Sequence, residues 1–111
     1  MAEIIFEEHG NVLVLSMIGN LNINNTAEAK SIFLEHASKK PSVMALNCKE
    51  LTRIDSSGLG LFLNFSKIAK ERGFELILCE PNKHVMNLFD ISKLDKYFNI
   101  ISWEQFKTQY I

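Results

Sequence analysis

The string Asp55-Ser56-Ser57-Gly58-Leu59-Gly60 is the segment whose residue types and spacing carry chemistry. It lies between a strand-plus-connector and the start of a helix. A helix N-terminus offers unpaired N–H donors and about half a positive charge, so it favours an anion or a capping oxygen. Ser56 and Ser57 place hydroxyls where an added phosphate meets that favourable potential. Gly58 and Gly60 each cost about 1 kcal/mol relative to alanine in a helix. In return they strip side chains from around the hydroxyls, so a bulky partner such as a kinase active site can approach closely. Plain N-capping, by a serine or by Asp55, is the competing reading of the same residues.

Catalytic uses of these serines fail on their neighbours. A nucleophile elbow needs glycine two residues before and two after the serine; Ile54 and Asp55 stand at the preceding positions for Ser56 and Ser57. A P-loop needs Lys-Ser or Lys-Thr after its second glycine, and Gly60 is followed by Leu61. His9, His36 and His84 are scattered without metal-ligand spacing. His36 falls near a core stripe and His84 reads as a surface residue. The chain is therefore expected not to be an enzyme, with no catalytic residue, metal or cofactor.

An alternating series of strands and helices must position the segment. Ile4–Glu8 reads as a first strand, closed by the turn His9-Gly10-Asn11. Val12–Ile18 is a dense apolar run, an interior strand, followed by a polar loop from Gly19 to Asn25. The first helix is expected to start at Asn25 as N-cap, with Glu28 reaching back as in a capping box. Ala29, Ile32, Phe33, His36 and Ala37 form its apolar stripe, and Lys39-Lys40-Pro41 ends it. Ser42–Asn47 is a second interior strand, Cys48–Ile54 a connector, and Ser57–Arg72 the second helix, terminated by Gly73. Phe74–Cys79 is a third interior strand. His84–Ile91 is a short helix with Val85, Leu88 and Phe89 facing the core, and Lys93–Tyr97 a connector with Leu94 and Tyr97 turned inward. Phe98–Ile101 is the last strand. Ser102 then caps a final helix, with Gln105 in the capping-box position and Trp103, Phe106 and Tyr110 as its apolar face. This order predicts one α/β domain over residues 1–111, with a mostly parallel mixed sheet, an antiparallel edge strand and about four helices.

The composition agrees. A chain of 111 residues has the size of one domain. Hydrophobic residues at 47% and charged residues at 23% exclude a mainly disordered chain. Lys plus Arg number 12 against 13 for Asp plus Glu, a net charge of -1. That balance excludes direct nucleic-acid binding and adhesion to an anionic membrane as leading functions. The runs Val12–Leu15 and Leu59–Leu63 are too short for membrane insertion, and the acidic N-terminus does not read as a signal peptide. Cys48 and Cys79 read as buried reduced thiols, in keeping with a cytoplasmic location.

The residues Leu46-Asn47, Leu51 and Ile54-Asp55-Ser56-Ser57-Gly58-Leu59-Gly60 together resemble the signature of the anti-sigma factor antagonists, the bacterial STAS domains. Gly19-Asn20-Leu21, Thr26-Ala27-Glu28 and Leu88-Phe89-Asp90-Ile91 with Leu94 extend the resemblance over nearly the whole chain. It implies a single STAS-like domain acting as a regulatory switch. The serine directly after the aspartate, here Ser56, would be phosphorylated by a partner that is both anti-sigma factor and ATP-dependent serine kinase. The unphosphorylated domain would bind that partner and free a sigma factor, and a PP2C-type phosphatase would reset it. Partner-binding residues are expected at Asp55, Ser57, Gly58, Leu59, Gly60, Leu63 and Asn22. The family usually carries an acid near Asn22, and the stretch Asn22-Ile23-Asn24-Asn25 is one residue longer here. If that acid engages the kinase, the departure implies a divergent partner.

Phosphate on Ser56 would add about -1.5 to -2 charge, moving the domain from -1 to roughly -3. The helix start stabilises that charge and Asp55 opposes it, so little refolding is expected. The switch would act at an interface, where burying an unpartnered dianion costs several kcal/mol. In the second helix, Leu61 or Phe62, Phe65, Ile68 and Ala69 are expected to face the sheet. Leu59 and Leu63 fall on another face, either as a protein contact or packed internally. The alternative function is a phosphorylation-independent STAS adaptor subunit of a transport or stress-signalling complex. A small-ligand binder at the carboxyl ends of the strands is a third reading.

Overall fold

The computed structural model describes residues 2–111. The chain opens as a hairpin: β1 (Ala2–His9) and β2 (Val12–Leu21) pair antiparallel from Ala2 opposite Gly19 to His9 opposite Val12. Gly10 makes the turn at φ 62°, a left-handed conformation that glycine adopts without a Cβ clash. Then come α1 (Thr26–Ala37), β3 (Val43–Asn47), β4 (Leu51–Ile54), α2 (Ser56–Arg72), β5 (Glu75–Cys79) and α3 (Lys83–Ile91). A 3-10 turn (Asp95–Tyr97), β6 (Asn99–Ile101) and α4 (Trp103–Tyr110) complete the chain.

The strand β2 organises the sheet. Its first half, Val12–Ser16, pairs parallel with β3, and its last residues, Gly19–Leu21, pair parallel with β4. With β5 and β6 added in parallel, the order is β1-β2-β3-β5-β6, and β4 continues beyond β3 along β2. The antiparallel edge and the parallel interior agree with the order of elements in the sequence.

Strand alternation sends Leu13, Leu15, Met17, Met44, Leu46 and Leu78 to one face, where they meet Phe33, Phe62, Phe65 and Phe89 of α1, α2 and α3. Phe33 stacks on Phe65 at 3.9 Å, and Phe89 lies 5.1 Å from Phe98, which links α3 to the residue just before the last strand. The other face carries Val14, Val43, Ala45, Ile77 and Cys79 beneath Phe106 of α4. This arrangement sets the start of α2 at the carboxyl ends of β2 and β4.

Several expectations are corrected. The Cys48–Ile54 connector contains β4, so the sheet has six strands. Leu51 and Ile54 are buried while Thr52 and Arg53 are exposed, so the strand lacks the period-two pattern that would mark it. The polar loop shrinks to residues 22–25, because pairing with β4 carries β2 through Leu21. The Asn25 capping box does not form: Asn25 Oδ1 accepts the Asn22 N–H at 2.9 Å and Nδ2 donates to the Asn20 carbonyl at 2.8 Å. Its amide therefore stitches the loop rather than the helix. Tyr97 stands 61% exposed on the 3-10 turn, and Phe98 at 9% takes the inward place. Ser102 does cap α4, accepting the Gln105 N–H at 3.1 Å.

Candidate functional site

Helix α2 starts at Ser56 because Asp55 caps it. Asp55 has an extended backbone, and its Oδ1 accepts the N–H groups of Ser57 at 3.0 Å and Gly58 at 3.1 Å. The same oxygen accepts the Ser57 hydroxyl, and Oδ2 accepts the Ile23 N–H at 3.3 Å. Bonds to the charged form favour it. The Ser57 hydroxyl, then the Gly58 N–H, hold the Asp55 carboxyl below the usual carboxylate range.

The two serines are thereby separated. Ser57 is half-buried and its hydroxyl is committed to Asp55, whereas Ser56 is exposed at the first helical position. The cap, left open between serine and aspartate by the sequence, belongs to Asp55.

The two glycines also differ. A Cβ on Gly58 would lie 3.0 Å from the Leu21 carbonyl oxygen and 3.1 Å from Ile54 Cβ. Gly58 is buried, and its missing side chain lets α2 sit on the ends of β2 and β4. The expectation that Gly58 opens the surface to a partner is corrected on this ground. Gly60 is exposed, and a Cβ there meets nothing within 4 Å. Of the two leucines, Leu59 is half-buried against the core and Leu63 is 37% exposed. Leu61, Phe62, Phe65, Ile68 and Ala69 face inward.

Asn22 lies half-buried in the loop beside Asp55, with its Oδ1 accepting the Asn24 N–H at 2.9 Å. Its neighbour Ile23 is 74% exposed, and its N–H is bound to Asp55. Ile23 belongs to no motif in the sequence; its one signal is an apolar residue set among Asn22, Asn24 and Asn25. Arg53, two residues before Asp55, likewise belongs to none. Arg53 and His84 line a cleft of about 290 Å³ whose wall includes Asn20, Asn22 and Asp55.

Other candidate groups have structural places. His36 is buried, its Nδ1 donates to the Ile32 carbonyl at 2.8 Å, and its ring lies 3.9 Å from that of Phe6. Cys48 and Cys79 are buried free thiols in the clusters on opposite faces of the sheet. Burial pushes both thiols up, Cys79 to about 12. Among the described residues no cluster of His, Cys, Asp and Glu could hold a metal ion, and no helix is long and apolar enough to cross a membrane.

A family model described as STAS domain matches residues 3–106. The anti-sigma F factor antagonist of Paenibacillus polymyxa is 31% identical over 100 residues, 88% of this chain and 85% of that protein. The solved structure of the anti-sigma factor antagonist SpoIIAA in its unphosphorylated form is similar with a TM-score of 0.80 at 19% identity, covering 98% of each chain. The structure of the Bacillus cell fate determinant SpoIIAA in its phosphorylated form has a TM-score of 0.76 at 18% identity, covering 98% of this chain and 100% of that one. At these identities the two structures show a shared fold.

Proposed function

The chain belongs to the STAS-domain family, and from this we propose that it is an anti-sigma factor antagonist whose partner binding is switched by phosphorylation of Ser56. The partner is an anti-sigma factor that is also a serine kinase. The unphosphorylated chain binds it and releases a sigma factor in the cytoplasm, and a PP2C-type phosphatase restores the hydroxyl. The observation that carries the reading is the separation of the serines: Ser57 is bound to the capping carboxylate and Ser56 is exposed beside it.

In this scheme Ser56 is a substrate and the chain is no enzyme. The γ-phosphoryl group of ATP passes to Ser56 Oγ, the hydroxyl proton leaves, and ADP is released. Asp55 is a poor base for that proton, because its oxygens already accept from four donors that favour the charged form. The base is therefore supplied by the kinase. Asp55 serves as the cap that presents Ser56.

The phosphate brings about -1.5 to -2 charge to the start of α2. The helix dipole lowers its cost within the free domain. A partner surface that covers Gly60, Leu63 and Ile23 would instead have to desolvate a dianion, which costs several kcal/mol without a counter-charge. Binding is lost with little change of fold.

The test compares wild type, Ser56→Ala and Ser56→Asp for binding to the anti-sigma factor kinase of the host, without ATP, by calorimetry. Wild type and Ser56→Ala should bind alike, and Ser56→Asp should bind at least about tenfold more weakly, about 1.4 kcal/mol. Equal affinity of all three proteins rejects the switch.

A further inference from the structure

We propose that the cleft between β4 and the start of α3 receives the phosphoryl group carried on Ser56, with Arg53 and His84 as its binding groups. The inference rests on the reading of Ser56 as phosphoacceptor. The cleft has a volume of about 290 Å³, and Asp55, the residue immediately before Ser56, forms part of its wall. The charged and titratable groups that line it are Arg53 from β4, His84 from α3 and Asp55 from the α2 cap. Arg53 and His84 are both exposed, and the ion pair formed among the described residues, Lys107 with Glu104, involves neither.

The walls are tied together. Asn82 caps α3 by accepting the Val85 N–H at 2.9 Å, and its Nδ2 donates to the carbonyls of Leu51 at 3.1 Å and Thr52 at 3.0 Å. The Thr52 hydroxyl donates to Asn20 Oδ1 at 2.7 Å. The first turn of α3, which carries His84, is thus held against β4, which carries Arg53. Helices α2 and α3 both start at this end of the sheet, and each contributes about half a positive charge. Asp55 opposes them, because the four neutral donors that hold its carboxylate leave its negative charge in place, so Arg53 and His84 must outweigh it. A phosphate monoester here meets a guanidinium fork suited to two of its oxygens and an imidazole whose protonated form it stabilises.

The test uses the full chain with phosphoserine installed at position 56 during synthesis, so no kinase is required. An unpaired phosphoserine loses its second proton near about pH 6. By phosphorus NMR the midpoint in the phosphorylated chain should lie about one pH unit lower, a tenfold shift in the ionisation ratio. Arg53→Gln and His84→Gln should each return it towards about 6. Circular dichroism checks that the variants keep their fold. A midpoint near about 6 in the phosphorylated wild-type chain, unmoved by both substitutions, overturns the proposal. That failure is distinct from a failure of the switch, which is read in partner affinity with the unmodified chain.

Discussion

Asp55 Oδ2 accepts the backbone N–H of Ile23 at 3.3 Å, while Oδ1 caps helix α2. One carboxylate thus joins the loop before α1 to the end of α2 that displays Ser56. Ile23, remote from Ser56 in sequence, is thereby held beside Asp55, the residue before Ser56, by a bond that the ionised carboxylate strengthens.

That dependence predicts a pH effect. The folded-state pKa of Asp55 is depressed below the unfolded value of about 3.9. Its contribution to stability is therefore full above about 3.9 and is lost as pH falls through the lower, folded value. The gap in urea midpoint between wild type and Asp55→Asn should be constant at neutral pH and narrow in acid. Ser57→Ala removes the largest cause of the depression, so carboxyl carbon NMR should show Asp55 titrating higher in that variant. Identical Asp55 titrations in wild type and Ser57→Ala would contradict the assignment of the hydroxyl bond.

Gly58 and Gly60 should respond to alanine with opposite signs. Gly60 faces open space, so Gly60→Ala gains helix propensity and should stabilise by about 0.5–1 kcal/mol. Gly58→Ala drives a methyl against the Leu21 carbonyl and Ile54. Backbone cannot yield as a side-chain tip can, and the net cost should be about 1–2 kcal/mol. Urea denaturation of both variants distinguishes the cases, and stabilisation by Gly58→Ala would show that the packing of α2 on β2 is looser than described.

Much of this architecture is legible in the residues. The apolar run Val12–Ile18 and the stripe through Phe33 and His36 mark elements whose burial is set by local periodicity. The Asp55-Ser56 string marks its helix start through capping chemistry alone. Strand β4 is not legible, because it exists through pairing with β2 and has no alternation of its own. Asn25 is a good cap by type, yet Asn22 and Asn20 compete for its amide, and that competition is decided by the loop's fold. Ile23, Arg53 and His84 join the site only because β2, β4 and α3 end together, a proximity that no spacing in the chain records.

The cysteines should be inert in the native state. Both side chains are fully buried, and the Cys79 thiol is pushed up to about 12, so the thiolate that reacts is scarce near neutral pH. An aromatic disulfide reagent at mildly alkaline pH should label neither residue in the native chain and both in urea. Rapid labelling without denaturant would contradict their placement in the core.

Ile23 offers a test that separates binding from folding. At 74% exposure it contributes little to the core, so Ile23→Ser should leave stability within about 0.5 kcal/mol of wild type. Its backbone bond to Asp55 survives, because the donor is the N–H and not the side chain. The loop therefore stays in place and only the apolar surface that it presents changes. If the partner covers that surface, affinity should fall about tenfold, about 1.4 kcal/mol. Leu63→Ser, at 37% exposure on α2, should lower affinity in the same way and also cost about 1 kcal/mol of stability, because most of its side chain is covered. Leu59→Ser should not lower affinity, since Leu59 packs against the core, and it should lose about 1–3 kcal/mol of stability. Calorimetric binding to the host anti-sigma factor kinase, paired with urea midpoints, reads both quantities. Unchanged affinity in Ile23→Ser would place the partner away from the loop before α1, and the contact would then have to be sought along α2 alone.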